Sequence, residues 1–366
     1  MKEFLKILIP LLIKIAKEFI LLGTPFYILE EFSFLWYCVI IYYFNLYDGV
    51  LLMKFEILED LYKSICQSHI ERLYVLYNSN ANLKRKTMLH NGKIELLFAD
   101  SDQINAQSSV DNGDKIIIHK GLLSKTHECI ERMIMSDKIY PSSDQQEIIS
   151  VFIFSIILHY IIAHEFAHLY NGHCEMLKQI NNGNNVCLQF AYDSKINITP
   201  LDFQTLEMDA DALAMCRTID YVFFDAYHSP HIINLVDTLS SRVGILLKSL
   251  NIMFFILRHF LPPIFDINFA IRTHHPNFLR QVMNYNTLEK YLREEHKKDL
   301  SSDYIDEKFA TDEKSLCELY YIPLVADHYL INLNSEMLKH EQALRSNWIV
   351  LREKLSKYSR TQLVTL

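Results

Sequence analysis

The chain lacks a Cys-x-x-Cys pair, a surplus of basic residues, an internal repeat and a small-residue cleavage site behind its apolar N-terminus. Each absence removes a class of reading. Its seven cysteines, at positions 38, 66, 129, 174, 187, 216 and 317, are odd in number and widely scattered, so a reduced, cytosolic chain is expected rather than a disulfide framework. Lys and Arg total 36 against 44 Asp and Glu, and Lys84-Arg85-Lys86 is the one dense basic patch, which argues against nucleic acid as a partner. Residues 5–23 are broken by Lys6, Pro10, Lys14, Lys17 and Glu18 and do not read as a signal peptide.

What is present begins with an apolar N-terminal segment, residues 1–52. Its longest uncharged stretch, Phe32 to Tyr47, is sixteen residues, slightly short for a bilayer span. Trp36, Tyr37, Tyr42 and Tyr43 have interfacial character. Three readings stay open: membrane-associated helices, an apolar hairpin packed on the protein, or a natural start at Met53. The remainder divides into an N-terminal α/β part (53–142), a central core (143–285) and a C-terminal helical segment (286–366).

Spacing predicts a mainly α fold with a small β-sheet. A helix is expected over 55–78, then strands at Ile94 to Ala99 and Lys115 to His119 joined by a polar loop, and a helix over 121–135. Asp144 and Glu147 have the pattern of a capping box, and no Pro or Gly interrupts the chain from there to Tyr170. That helix is apolar on every side from Ile148 to Ala163, so it is expected inside protein. Thr199-Pro200-Leu201-Asp202 launches a second helix through Arg217. A long helical run covers 232–261, residues 294–313 read as a surface connection, and 334–358 as an amphipathic closing helix.

The chemistry concentrates on the buried helix. His164-Glu165-Phe166-Ala167-His168 is an HExxH pattern, whose two imidazoles at i and i+4 share one helix face and can share one metal ion. Glu165, beside the first ligand, is placed as general base toward a water that the metal activates. A catalytic zinc site needs a third protein ligand. Glu207, on the second helix, supplies a carboxylate, and Asp211, four residues on, can orient a ligating histidine through its free ring nitrogen. Cys174 is near enough in sequence to be considered as a ligand, although buried free thiols are commoner. His173 reads as a cap or surface residue, His159 as a packed one, and His69, His90, His119 and His127 show no ligand spacing.

With these residues in hand, HEFAHLYNGH at 164–173 resembles the signature of the HtpX and CAAX-prenyl-protease group of gluzincins, and Glu207-x-x-Ala210-Asp211 resembles their ExxAD. Thr273 to Arg280, with His274-His275-Pro276, is similar to that group's later HPxxxR element. The resemblance spans 146–280 and implies a zincin-like core and a zinc endopeptidase carrying one Zn2+ per chain. It implies that His275, or less so His274, donates to an oxyanion, and that Arg280 positions a loop or carboxylate. HtpX-type enzymes carry membrane helices between the two motifs, whereas here that interval is a polar stretch, so a soluble relative is implied, similar in layout to the phage-exclusion Lit-type peptidases of bacterial defence. A protein or peptide substrate is expected, pairing with the strand at Ile116 to His119. The alternative is a catalytically inactive zinc-binding or interaction protein.

Overall fold

The computed structural model describes residues 55–79, 94–136, 142–181, 198–225, 230–260, 277–294, 302–322, 327–361 and 363. The N-terminal segment 1–52 and His275 lie outside these residues. The fold is mainly α with one small sheet. Among the described residues the first helix, α1 (Phe55–Ser79), leads into β1 (Glu95–Ala99), β2 (Ala106–Ser109) and β3 (Lys115–His119). Then follow α2 (Lys120–Ser136), α3 (Ser143–Tyr170), α4 (His173–Ile180) and α5 (Pro200–Asp220), the last running into a π-helical turn, Tyr221–Asp225. The described part closes with α6 (Pro230–Leu235), α7 (Leu239–His259), α8 (Asn277–Glu294), α9 (Ser302–Leu319) and α10 (Asp327–Leu355).

The sheet corrects the sequence reading. The segment expected as a loop contains β2, so the strand order is β1-β3-β2, with β1 parallel and β2 antiparallel to β3. Ala106-Gln107-Ser108-Ser109 has no apolar alternation to announce it; the pairing partner supplies the reason for the strand. β3 is flanked on both sides, which rules it out as an edge for an extended substrate: its backbone groups already serve its neighbours.

Helix starts are set by local capping. Ser142, not Asp144, caps α3, accepting from the Gln145 backbone at 3.3 Å. Thr199 and Asp202 form a reciprocal capping box with Pro200 in the first turn of α5. The long run expected over 232–261 is two helices, because Thr238 and Ser241 build a second capping box and restart the chain as α7. The presumed surface connection at 294–313 is largely helix: α9 buries Ile305, Asp312, Leu316 and Cys317.

α3 is the axis of the molecule. It packs against α1, α2, α5 and α7, with α5 its most extensive partner. Phe152, Ile153, Ile156, Ile157, Ile162 and Phe166 are all buried, in line with a helix apolar on every side. One continuous core joins Tyr62, Phe154, Leu246, Leu288, Leu316 and Trp348, so the three segments at 53–142, 143–285 and 286–366 share an interior. By length and composition, Gln145–Tyr170 and Leu239–His259 are apolar enough to cross a membrane, but most of each is buried inside this fold. The C-terminal segment docks onto the end of α3: Arg360 N–H donates to Tyr170 O at 2.8 Å, and the Arg360 guanidinium forms a buried pair with Asp114.

Candidate metal centre

His164 and His168 are one helical turn apart on α3 and face Glu207 on α5. Their Nε2 atoms lie 3.1 Å from each other, and each is 3.4 Å from a Glu207 oxygen, His164 from Oε2 and His168 from Oε1. All three side chains are buried. Two imidazole nitrogens and a carboxylate converging inside a protein form a donor set suited to a divalent cation, and three protein ligands leave a fourth position for a non-protein one. The residues therefore fit a metal ion.

Each histidine is oriented from behind by a different carboxylate. Asp211 Oδ1 lies 2.9 Å from His164 Nδ1, within charge-contact range although off the axis of the ring N–H. Arg280 on α8 grips Asp211 with Nε at 2.8 Å and a terminal nitrogen at 2.7 Å, and the Tyr160 hydroxyl donates to it at 3.0 Å. Burial opposes ionisation of Asp211, but the Arg280 guanidinium outweighs it and holds the carboxyl well below its usual range. The same contacts raise the Arg280 pKa against its own burial. Arg280 also lies 3.8 Å from Glu207, tying α8 to both acids of α5.

His168 uses a relay. Its Nδ1 is 2.9 Å from His173 Nδ1, and His173 Nε2 is 3.1 Å from Asp209 Oδ2, which also accepts from Asn171 Nδ2 at 2.6 Å. Hydrogen placement follows from this network. A carboxylate can only accept, so neutral His173 carries its proton on Nε2 and its lone pair on Nδ1. His168 must then donate from Nδ1, which leaves a lone pair on Nε2, the nitrogen that faces Glu207. His173 is thus neither a surface residue nor a ligand. It is fully buried at the start of α4, where Gly172 turns the chain with φ of 83°. Thr361 donates to Asn171 Oδ1 at 3.2 Å, extending the relay to the C-terminal segment.

Protonation is divided between the two rings. Burial disfavours charge on both, yet Asp211 and Glu207 together raise His164 to about 10. At His168 burial prevails over Glu207 and lowers it to about 3. Burial also pushes Glu165 up to about 7, with His164 opposing. One oxygen of Glu165, Oε2, is buried with no hydrogen-bond partner. Cys174 makes its contact with Ser108 Oγ at 3.6 Å, is absent from the converging set, and has its thiol pushed up to about 12 by burial.

Sequence reasoning named His164, Glu165, His168, Glu207, Asp211 and Arg280, and the structure brings these six together. It missed His173, Asp209, Asn171 and Tyr160. The signal was Asn171-Gly172-His173 directly after the motif, together with an acid two residues beyond Glu207. His159 is buried and meets His69, Nδ1 to Nδ1, at 3.1 Å, and is not among the converging donors. No family model, curated protein or solved structure matches the chain.

Proposed function

We propose that the chain is a zinc-dependent peptidase in which His164, His168 and Glu207 hold the metal and Glu165 is the general base. The observation that carries this reading is the buried His-His-Glu convergence with an unpartnered carboxylate oxygen of Glu165 beside it. A bound zinc ion would supply Lewis acidity and a water of lowered pKa. Glu165 Oε2 takes the proton of the attacking water and delivers it to the departing amine. A structural metal site has no use for such a group. Asp211 and the His173–Asp209 pair hold the imidazoles in the tautomer that ligation requires. The resemblance of 164–173, 207–211 and 273–280 to gluzincin motifs supports the same assignment.

An extended peptide substrate pairs along β2 in this reading, since β2 is an edge of the sheet and its Ser108 is turned toward Glu165, whose ionised form it favours. Elemental analysis of the purified chain beside Glu207→Ala and His168→Ala variants tests the metal assignment. Each variant should carry one zinc fewer than the unaltered chain. An unchanged zinc content in both would leave the constellation as a metal-free polar cluster and remove the catalytic reading with it.

A further inference from the structure

A second group of metal-ligating side chains lies at the junction of α7 and α9. His259, in the last turn of α7, and Glu313 and Cys317, both on α9, bring an imidazole nitrogen, a carboxylate oxygen and a sulfur within 4.8 Å of one another. Glu313 and Cys317 are four residues apart and so project from one helix face. The carboxylate divides its oxygens. Oε2 pairs with Arg258, while Oε1 faces His259 Nε2 at 3.8 Å and Cys317 Sγ at 3.9 Å. His259 Nε2 is shielded from solvent and makes no hydrogen bond, a costly condition for a ring nitrogen.

We propose that His259, Glu313 and Cys317 form a second zinc site that clamps the end of α7 to α9. Mixed nitrogen, oxygen and sulfur donors suit zinc, which takes all three, better than the hard cations that prefer oxygen alone or the softest ones that prefer sulfur. The two separations from Glu313 Oε1, 3.8 and 3.9 Å, exceed the 3.4 Å from Glu207 to each histidine by 0.4 and 0.5 Å, a gap that side-chain rotation closes. Arg258 does not compete for the ligating oxygen. It holds the other one, orienting the carboxylate as outer partners of metal ligands do. Charge is accommodated as well, since a thiolate and a carboxylate balance a dication while Arg258 keeps its partners Glu313 Oε2 and Gln281.

Binding replaces the Cys317 S–H bond with a sulfur–zinc bond and releases one proton to solvent. Loading therefore strengthens as pH rises. Three protein ligands leave a position for water, and the site should bind more weakly than a closed four-ligand one.

The test uses the full chain, titrated first with zinc and then with cobalt. The unaltered protein should take up two metal equivalents and show a thiolate-to-cobalt charge-transfer band. Cys317→Ser should take up one and lose the band, whereas Glu207→Ala should take up one and keep it. Because serine could disturb the packing, zinc should also slow alkylation of Cys317 in the unaltered chain. Equal metal uptake by Cys317→Ser and the unaltered chain, or alkylation indifferent to zinc, overturns the second site. A single equivalent lost in Glu207→Ala alone overturns this proposal and leaves the peptidase reading standing; one lost in Cys317→Ser alone does the reverse.

Discussion

Replacing Asp209 with Asn is the sharpest probe of how His168 is held. Asp209 touches no converging donor atom; its effect travels through His173 to His168. The replacement leaves shape and volume nearly unchanged but puts an amide where His173 Nε2 and Asn171 Nδ2 both donate. If the amide nitrogen faces His173, that ring must accept at Nε2 and carry its proton on Nδ1. His168 then accepts at Nδ1 and is protonated on Nε2, the atom that faces Glu207. If the amide oxygen faces His173 instead, the tautomer survives but the negative charge that strengthens it is gone. Loss of such an outer partner weakens metal binding about 10- to 100-fold, roughly 1.4 to 2.8 kcal/mol. Competition against a chromogenic chelator, in a Cys317→Ser background so that one site titrates, measures it. His173→Phe should cost a similar amount, and the double variant little more than either alone, because both break one relay. Affinity within twofold of the parent for both single variants would refute the relay.

Other consequences follow from buried charge, buried histidine and a crowded glycine. Arg280→Met leaves Asp211 without its guanidinium in the interior, and breaking a buried pair from one side costs about 3–5 kcal/mol, to be read by chemical denaturation. His69, lowered to about 3 by burial, and His159, lowered well below its ordinary value for the same reason, stay neutral in the fold. The unfolded chain takes up their protons below about pH 6.5, so stability is full above that value and falls with acid, by about 2 kcal/mol per histidine at pH 5. Denaturation at pH 7 and pH 5 of the unaltered chain beside His159→Phe isolates the contribution: the variant should lose less stability on going to pH 5, and an identical loss in both would contradict it. Gly172→Ala would place a Cβ 2.6 Å from backbone atoms of Tyr358 and Ser359 at a positive φ. The left-handed conformation alone costs about 1–2 kcal/mol, and displacement of the C-terminal segment should add to it, visible as a lowered Tm.

The two site helices were legible because chemistry and periodicity coincide there. His164 and His168, and Glu207 and Asp211, each sit one turn apart, and the 3.6-residue period alone puts each pair on one face. The apolar surround of 148–163 likewise announced a buried helix. What stayed hidden depends on contacts distant in sequence. β2 is polar and becomes a strand by pairing with β3. α9 is rich in charge, and its buried side is narrow: Ile305, Asp312, Leu316 and Cys317. His173 stands just past a helix stop, and only the left-handed turn at Gly172 swings its ring back toward His168. The break before α7 was written in Thr238 and Ser241, but a reciprocal Thr–Ser cap lacks the acidic residue that makes such boxes conspicuous.

If Glu165 is the base that drives hydrolysis beside the metal, Glu165→Gln removes that step and little else. Glutamine keeps the volume and the contacts of the helix but cannot take a proton, and it is not among the converging donors. Zinc content and peptide hydrolysis should be measured on the same preparations of the unaltered chain and the variant, against a mixed peptide library. Zinc should be undiminished and hydrolysis reduced at least about 100-fold, the lower range of what a positioned base contributes. Hydrolysis that persists in Glu165→Gln, or is absent from the zinc-loaded unaltered chain, would contradict that role.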